Sequence, residues 1–154
     1  MHRTLLKALL LAALAALPLS RALADAPTKD EVVAVVKQAI VFYKANGRAK
    51  AMAEFNRKDG QFAKGKDYID VHDVHGVCVA DPKFPEQVGT SRMEQKDVNG
   101  TYWIRDIVER TRKGENSGWS RYVRKNPLNG KLQDKLSYWE VYDGLIFKAG
   151  LYIE

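Results

Sequence analysis

The chain has 154 residues, enough for one domain with a single buried core, and 45% of them are hydrophobic. Its formal net charge is +6, but Arg3, Lys7 and Arg21 lie in the first 24 residues, which contain no acidic residue. The remaining residues carry a net charge of +3, too small an excess to indicate a nucleic-acid-binding protein. Cys78 is the only cysteine, so the sequence excludes an intramolecular disulfide.

The N-terminal segment has the three parts of a secretory signal peptide. The first seven residues form a short region made basic by Arg3 and Lys7, residues 9–19 are rich in leucine and alanine, and residues 22–24 read Ala-Leu-Ala, a small-x-small cleavage site. We therefore expect residues 1–24 to be a signal peptide, cleaved after Ala24, and residues 25–154 to form one periplasmic domain. The alternative is an uncleaved anchor, although the apolar run is short for a membrane span.

Two helices are predicted at the start of this domain. Thr28 and Glu31 form a capping box, in which a threonine N-cap is followed three residues later by a glutamate. Asn46-Gly47 is a typical stop for the first helix, and a shorter helix is expected over residues 48–57. The apolar stripe of the first helix has helical spacing and consists of Val32, Val36, Ala39, Ile40 and Tyr43.

The pattern then changes to the alternation that is typical of strands. The later elements are predicted to be a hairpin of residues 68–73 and 77–81, a helix of 103–111, a strand of 118–123 and a hairpin within 135–154. Asp143-Gly144 is a strong two-residue turn signal in the last hairpin. This order predicts an α+β domain, with a five-stranded antiparallel sheet that has one face covered and the other partly open.

Short motifs in a specific order run through nearly all of the chain after the leader. They are Tyr43-Lys-Ala-Asn-Gly47, Ala53-Glu-Phe-Asn56, Asp59-Gly-Gln-Phe62, Asp67-Tyr68-Ile-Asp-Val71, His75-Gly76, Ala80-Asp-Pro82, Val88-Gly89, Asp97-x-Asn-Gly100, Gly118-Trp119-x-x-Tyr122, Asn126-Pro127, Lys135-x-Ser-Tyr138 and Gly150-Leu-Tyr152. Each motif alone is weak, but together they resemble the single Cache domain, the PAS-like extracellular sensor module of bacterial receptors. The resemblance covers about residues 28–154.

This resemblance implies a five-stranded antiparallel sheet, a long N-terminal helix with flanking helices, and a small-ligand pocket on one sheet face. It also implies a sensing role, with small organic acids or amino acids as ligands. The sequence departs from the family in two ways. It shows no predicted transmembrane helix after the leader and no output domain, and it has Asp81 before Pro82, where relatives often have histidine. An aspartate repels an anion to which a histidine can donate.

The pocket candidates combine residue type with the resemblance, since a small polar ligand needs aromatic walls and a few fixed donors. They are Tyr68, Trp119, Tyr122, Lys135 and Tyr138, with Arg92 and Arg105 as weaker cations. Alternation in a strand separates Trp119 from Tyr122, and likewise Lys135 from Tyr138. At least one member of each pair is therefore expected outside the pocket, and for any one of these aromatic rings a core position is favoured over a pocket position.

The sequence favours neither a metal site nor an enzyme. Asp70, His72, Asp73 and His75 could bind a metal, but without a third histidine or a ligating cysteine a polar hairpin tip is the preferred interpretation. Cys78 is expected to be a buried thiol, with an intermolecular disulfide as the alternative. The sequence contains no hydrolase, metalloprotease, phosphate-loop or haem motif, so we expect neither catalysis nor a cofactor.

The functional expectation is a periplasmic sensor module that binds a small organic acid or amino acid, for signal transduction or chemotaxis, and is read by a membrane receptor or kinase partner. The alternative is a protein that binds no ligand and instead forms a homodimer or docks on a membrane partner through its N-terminal helix. Lys29, Lys37 and Lys44 are polar positions on the face of that helix predicted to be exposed.

Overall fold

The computed structural model describes residues 27–65 and 67–153, so the predicted signal peptide lies outside the described residues. The elements are α1 (Lys29–Asn46), α2 (Arg48–Phe55), β1 (Asp70–Asp73), β2 (Cys78–Ala80), a short 3₁₀ helix (Pro85–Gln87), α3 (Trp103–Arg112), β3 (Ser117–Lys125), β4 (Leu132–Tyr142) and β5 (Leu145–Ile153). Within the described residues, no helix combines the length and apolar character needed to cross a lipid bilayer.

The five strands form one antiparallel sheet in the order β2-β1-β5-β4-β3, which confirms the predicted α+β architecture. β5 is the last strand in the sequence, yet it lies at the centre and pairs with both β1 and β4. Asp143 and Gly144 have φ angles of 50° and 69°, which is the left-handed geometry of a tight hairpin turn. The turn fixes the register of β4 against β5 from Tyr142↔Leu145 onward.

Helix α1 begins at the predicted capping box. The backbone N–H of Glu31 donates to Thr28 Oγ1 at 3.2 Å, and Thr28 N–H donates to the Glu31 carboxylate at 2.7 Å. At its other end, Tyr43 OH donates to the Asp143 carboxylate at 2.5 Å and so fastens α1 to the β4–β5 turn. All five residues of the predicted apolar stripe are buried against the sheet.

The sheet has two different faces. On the face that packs against α1, here called the α1 face, Val71, Phe147 and Ala149 join the main apolar core. On the opposite face, α3 packs over Trp139 and Ile146 in a second, smaller apolar cluster. Towards the Ile153 end of β5 this opposite face carries buried polar side chains instead of apolar ones. The whole of this face is called the polar face below.

Candidate functional site

Alternation along four neighbouring strands places charged and hydroxyl side chains side by side on the polar face. Lys135 and Ser137 of β4 are two residues apart, Lys148 of β5 pairs with Asp70 of β1, and Tyr122 of β3 pairs with Lys135. Lys135, Lys148 and Asp70 are only 1%, 2% and 3% exposed. Burial of three charged groups in one small area is unusual, because each loses its hydration.

Two of these charges form an ion pair. Lys148 Nζ lies 2.7 Å from Asp70 Oδ2 and donates to Tyr122 OH at 3.3 Å, and Tyr122 OH is 3.0 Å from Ser137 Oγ. Burial acts to raise the pKa of Asp70, but Lys148 and the other nearby basic groups outweigh it and hold the pKa below its ordinary value. The pair is therefore ionised at neutral pH, and it anchors a chain of hydroxyl groups.

Lys135 is buried, and the part of the chain that the structure describes gives it no such partner. Its ammonium donates to Tyr68 OH at 3.3 Å and lies 4.3 Å from the centre of the Tyr68 ring and 5.1 Å from that of Tyr152. Among the described residues, no carboxylate oxygen lies within 4.0 Å of Lys135 Nζ. Burial lowers the pKa of Lys135, as expected for a cation compensated mainly by aromatic rings and a hydroxyl.

A third cation, Arg124, connects the sheet to the loop after β2. Its guanidinium lies 3.4 Å from Asp81 Oδ2 and 3.2 Å from Gln87 Oε1, and it stacks 4.3 Å from the centre of the Phe84 ring. Asp81 Oδ1 also accepts backbone N–H groups from Lys83 at 3.0 Å and Phe84 at 2.9 Å. Asp81, which stands where relatives often have histidine, therefore already binds the loop backbone and Arg124.

The polar face also offers unused hydrogen-bonding atoms. His72 Nδ1, Ser120 Oγ and Trp139 Nε1 are buried and have no hydrogen-bond partner among the described residues. Burial lowers the pKa of His72 to about 3, so its ring is neutral at pH 7 although Asp70 is only 3.5 Å away. Buried polar atoms of this kind are available to a ligand or to ordered water.

Aromatic rings and a glycine shape the surroundings of the cluster. Trp103 of α3 stacks on Tyr122 with ring centres 4.8 Å apart, and an open groove of about 210 Å³ lies beside Trp103 and Arg124. Gly150 lies opposite Ser137, and a Cβ at position 150 would come within 2.9 Å of Ser137 Cα and touch the Ser137 hydroxyl. The close approach of β4 to β5 below the cluster therefore requires a glycine.

The structure brings together only some of the residues that the sequence nominated. Tyr68, Tyr122 and Lys135 belong to the polar cluster. Trp119 and Tyr138 pack against the α1 core on the opposite face, with ring centres 5.4 Å apart. The reason is the strand alternation that already separated each pair in the sequence.

The two weaker cation candidates are engaged elsewhere. Arg92 Nε donates to Gln95 Oε1 at 2.8 Å, and Arg105 pairs with Glu94 and donates to Met93 O at 3.0 Å. Neither has a hydrogen bond or salt bridge to a member of the polar cluster among the described contacts.

Sequence analysis missed Lys148 and Arg124. Lys148 interrupts the otherwise apolar run Leu145–Leu151 of a strand that was predicted but not placed at the centre of the sheet. A lysine inside such a run was the available signal, since a central strand leaves it no route to solvent. Arg124 follows Tyr122 by two residues and therefore shares its face, which the same alternation argument could have recovered.

The structure also shows the surroundings of the candidate metal-ligating residues and of the single cysteine. In the described part of the chain, no group of three or more His, Cys, Asp or Glu side chains is arranged to hold a metal ion. Asp73 Oδ1 instead accepts the backbone N–H groups of His75 and Val77, both at 2.9 Å, and so stabilises the β1–β2 turn. Cys78 is fully buried, and burial raises the pKa of its thiol to about 12, which favours an inert, protonated thiol.

Comparisons with known proteins agree with this architecture. The model of the family described as Single Cache domain 2 matches residues 42–148, whereas no curated protein matches the chain. A methyl-accepting chemotaxis protein from Vibrio parahaemolyticus has a similar structure, with a TM-score of 0.68 and 23% identity over 82% of this chain and 88% of that chain.

Two further solved structures are similar. A Cache chemosensory domain studied for carboxylic acid recognition has a TM-score of 0.63 and 19% identity, over 81% of this chain and 88% of that chain. The periplasmic sensor domain of a chemotaxis protein has a TM-score of 0.63 and 20% identity, over 81% of this chain and 90% of that chain. At these identities the likeness shows the fold, and it confirms the PAS-like arrangement that the motifs predicted.

Proposed function

Because the chain belongs to the single Cache domain 2 family, we propose that it is a sensor module that binds a small organic acid on the polar face of its sheet. The family consists of signalling domains, so the site is interpreted as a binding site rather than a catalytic one. The proposal includes a periplasmic location, reached through a signal peptide of residues 1–24, and a membrane receptor or kinase that reads the bound state.

The burial of the Lys135 ammonium is the single observation on which the proposal mainly rests. A buried ammonium whose neighbours are a tyrosine hydroxyl at 3.3 Å and two aromatic rings has lost its hydration without gaining a counterion from the described part of the chain. A ligand carboxylate can supply that counterion through a charge-assisted hydrogen bond. The ligand would then recover interaction energy that the free protein lacks, which is the condition for tight binding by a small anion.

The charge balance of the cluster supports the same class of ligand. Three cations, Lys135, Lys148 and Arg124, face two carboxylates, Asp70 and Asp81. The neutral His72 adds no charge at pH 7. An excess of one positive charge suits a ligand with one carboxylate, and an amino acid could in addition place its ammonium near an aspartate.

One of the similar structures is a Cache chemosensory domain whose subject is carboxylic acid recognition. That protein shares 19% identity with this chain, so the likeness by itself concerns the fold. The argument for an acid in this chain rests on its own buried lysine. The other protein supports the choice of compounds with which to begin a screen.

The test is a thermal-shift screen of small monocarboxylic, hydroxy and amino acids, followed by calorimetry on each hit. A ligand present at 100 times its Kd is expected to stabilise the native protein by about 2.7 kcal/mol. Lys135→Met should abolish the shift while leaving the free protein equally stable, or more stable by about 1 kcal/mol, because it removes an uncompensated buried charge. Lys37→Met, an exposed lysine on α1, is the matched control and should bind like the wild type.

Two results would contradict the proposal. A broad screen in which no compound raises the melting temperature would argue against a ligand-binding function. A hit whose affinity is the same in the wild type and in Lys135→Met would preserve the function but refute the site.

A specific feature favours the alternative of a homodimer formed through α1. Val41 is 64% exposed on this helix, and a groove of about 480 Å³ lined by Phe42 and Phe62 lies beside it. If α1 forms the interface, sedimentation velocity should show a dimer that Val41→Glu converts to a monomer. A chain that stays monomeric at high concentration would exclude this alternative.

A further inference from the structure

Two neighbouring turns at one end of the sheet expose apolar side chains that are surrounded by lysines. One turn follows the loop after β2 and the other joins β3 to β4. We call this the turn surface, and it consists of Lys96, Val98, Lys125, Leu128, Lys131 and Leu132.

The apolar members are far more exposed than is usual for their type. Val98, Leu128 and Leu132 are 70%, 60% and 61% exposed, and they make up half of the six large hydrophobic residues that are exposed in the described chain. Val98 and Leu132 line one groove together with Lys96 and Lys125. Because exposed apolar residues concentrate here rather than scatter, the surface is a candidate for an interaction.

The exposure does not come from a loosely held loop. In the β3–β4 turn, Asn126 N–H donates to Lys131 O at 2.8 Å, and Leu128 N–H donates to Asn126 Oδ1 at 2.9 Å. The second turn is tied to β3 because Val123 N–H donates to Asp97 Oδ2 at 2.8 Å. Both turns therefore present their side chains on a fixed backbone.

The charge of the turn surface is positive and poorly compensated. Asp97 is the one acidic side chain among the described residues that line the groove, and its carboxylate accepts three backbone N–H groups, those of Asn99, Thr101 and Val123. Asp134, on the neighbouring strand, pairs with Arg121 at 2.6 Å. The three lysines thus have no carboxylate partner among the described salt bridges.

From this combination we propose that the turn surface binds the surface of an anionic lipid membrane. A few apolar side chains at the tips of turns can enter the headgroup boundary while the neighbouring ammonium groups meet lipid phosphates. A protein partner fits less well, since a stable protein interface generally buries at least about 1,000 Å² and three apolar side chains supply only a small part of that. None of the six residues of the turn surface belongs to the polar cluster, although Arg124 of that cluster also lines the groove between Val98 and Leu132.

Co-sedimentation with lipid vesicles tests it. The protein should partition onto vesicles of phosphatidylglycerol mixed with phosphatidylcholine, more weakly onto pure phosphatidylcholine, and less at high salt. The double variant Lys125→Glu/Lys131→Glu should reduce partitioning at least tenfold, since each lysine is expected to contribute roughly fivefold. Leu128→Ser should reduce it by roughly tenfold through lost burial.

The control is Lys37→Glu/Val41→Ser, which places one lysine-to-glutamate and one apolar-to-serine change on the exposed side of α1 and should leave partitioning unchanged. Every variant carries the same N-terminal residues, so their contribution cancels in the comparison. Absence of binding to the mixed vesicles would overturn the proposal, and so would equal binding by the turn variants and the control. Dimerisation that Leu128→Ser abolishes, without vesicle binding, would assign the surface to a second copy instead.

Discussion

Phe147 and Lys148 are neighbours in the central strand, yet they belong to opposite kinds of interior. Phe147 is fully buried on the α1 face, with its ring centre 5.6 Å from that of Tyr43 and 6.1 Å from that of Phe55. Lys148 is 2% exposed on the polar face, where its ammonium meets Asp70. The two residues are almost equally buried. Burial by itself stabilises the protein at Phe147, whereas the buried charge of Lys148 also needs a partner of opposite sign.

The comparison shows how one strand can serve stability and recognition together. On the α1 face, every buried ring gains free energy by leaving water. On the polar face, each charge loses hydration and needs a partner of opposite sign, which Lys148 has and which the described residues do not supply to Lys135. We therefore expect substitutions on the α1 face to change stability. Substitutions on the polar face should change stability, ligand binding or both, depending on whether a buried charge is left without its partner.

The largest effect is expected for the α1 face itself. Phe147→Ala should lower the free energy of unfolding by about 3–5 kcal/mol, because it leaves a cavity between α1, α2 and the sheet. Urea denaturation monitored by circular dichroism measures this change. A loss below about 1 kcal/mol would mean that this face is loosely packed and would remove the contrast between the two faces.

On the polar face, removal of one ion-pair partner is expected to cost nearly as much. Lys148→Met should destabilise the protein by about 3 kcal/mol, because it leaves the buried Asp70 carboxylate without compensation. Adding Asp70→Asn should recover most of that loss, so the double variant separates the loss of the pair from the stranded charge. If the same urea assay gave the single and double variants equal stability, the assignment of Lys148 and Asp70 as a buried ion pair would be contradicted.

A smaller effect should appear as a pH dependence. The pKa of His72 falls from 6.5 in the unfolded chain to about 3 in the folded protein, mainly because of burial, so between these values the unfolded state binds more protons. Stability should therefore decrease as the pH falls through this window, by about 1 kcal/mol between pH 6 and pH 5. His72→Asn should show a flatter profile, and an unchanged slope in that variant would assign the dependence to another group.

The smallest effect separates the two faces by ligand binding. Tyr138→Phe removes a 2.9 Å hydrogen bond to Glu140 on the α1 face and should change the affinity for any hit by less than about twofold. Tyr68→Phe removes the hydroxyl that contacts Lys135 and should weaken binding by roughly two- to tenfold. Calorimetry measures the affinity of both variants for the ligand. A larger loss of affinity in Tyr138→Phe than in Tyr68→Phe would place the ligand on the α1 face and contradict the proposed site.

Local signals in the sequence predicted most of the fold. The capping box at Thr28 and the turn at Asp143-Gly144 depend on residues only a few positions apart, and both are present in the structure. Strand alternation predicted that Lys135 and Tyr138 point to different faces, as they do. These features could be predicted because their causes lie within one turn or one strand.

The site required information that lies far apart in the chain. Asp70 and Lys148 are 78 residues apart, and they meet only because β5 inserts between β1 and β4. Sequence analysis treated Asp70 as part of a polar hairpin tip and assigned no role to Lys148. Strand order in a sheet arises from the packing of all elements together, so no local pattern could indicate this pair or the contact of Arg124 with Asp81.

Gly150 limits how the binding site can diversify. The polar side chain at position 135 projects from the sheet, where other residues could replace it and alter the ligand, but any side chain at position 150 would collide with β4 and with the Ser137 hydroxyl. A library designed to give this domain a new ligand should therefore randomise the side chains above the sheet and keep position 150 as glycine. Clones that tolerate a larger residue there would be expected to have lost the β4–β5 register, and with it the arrangement being selected.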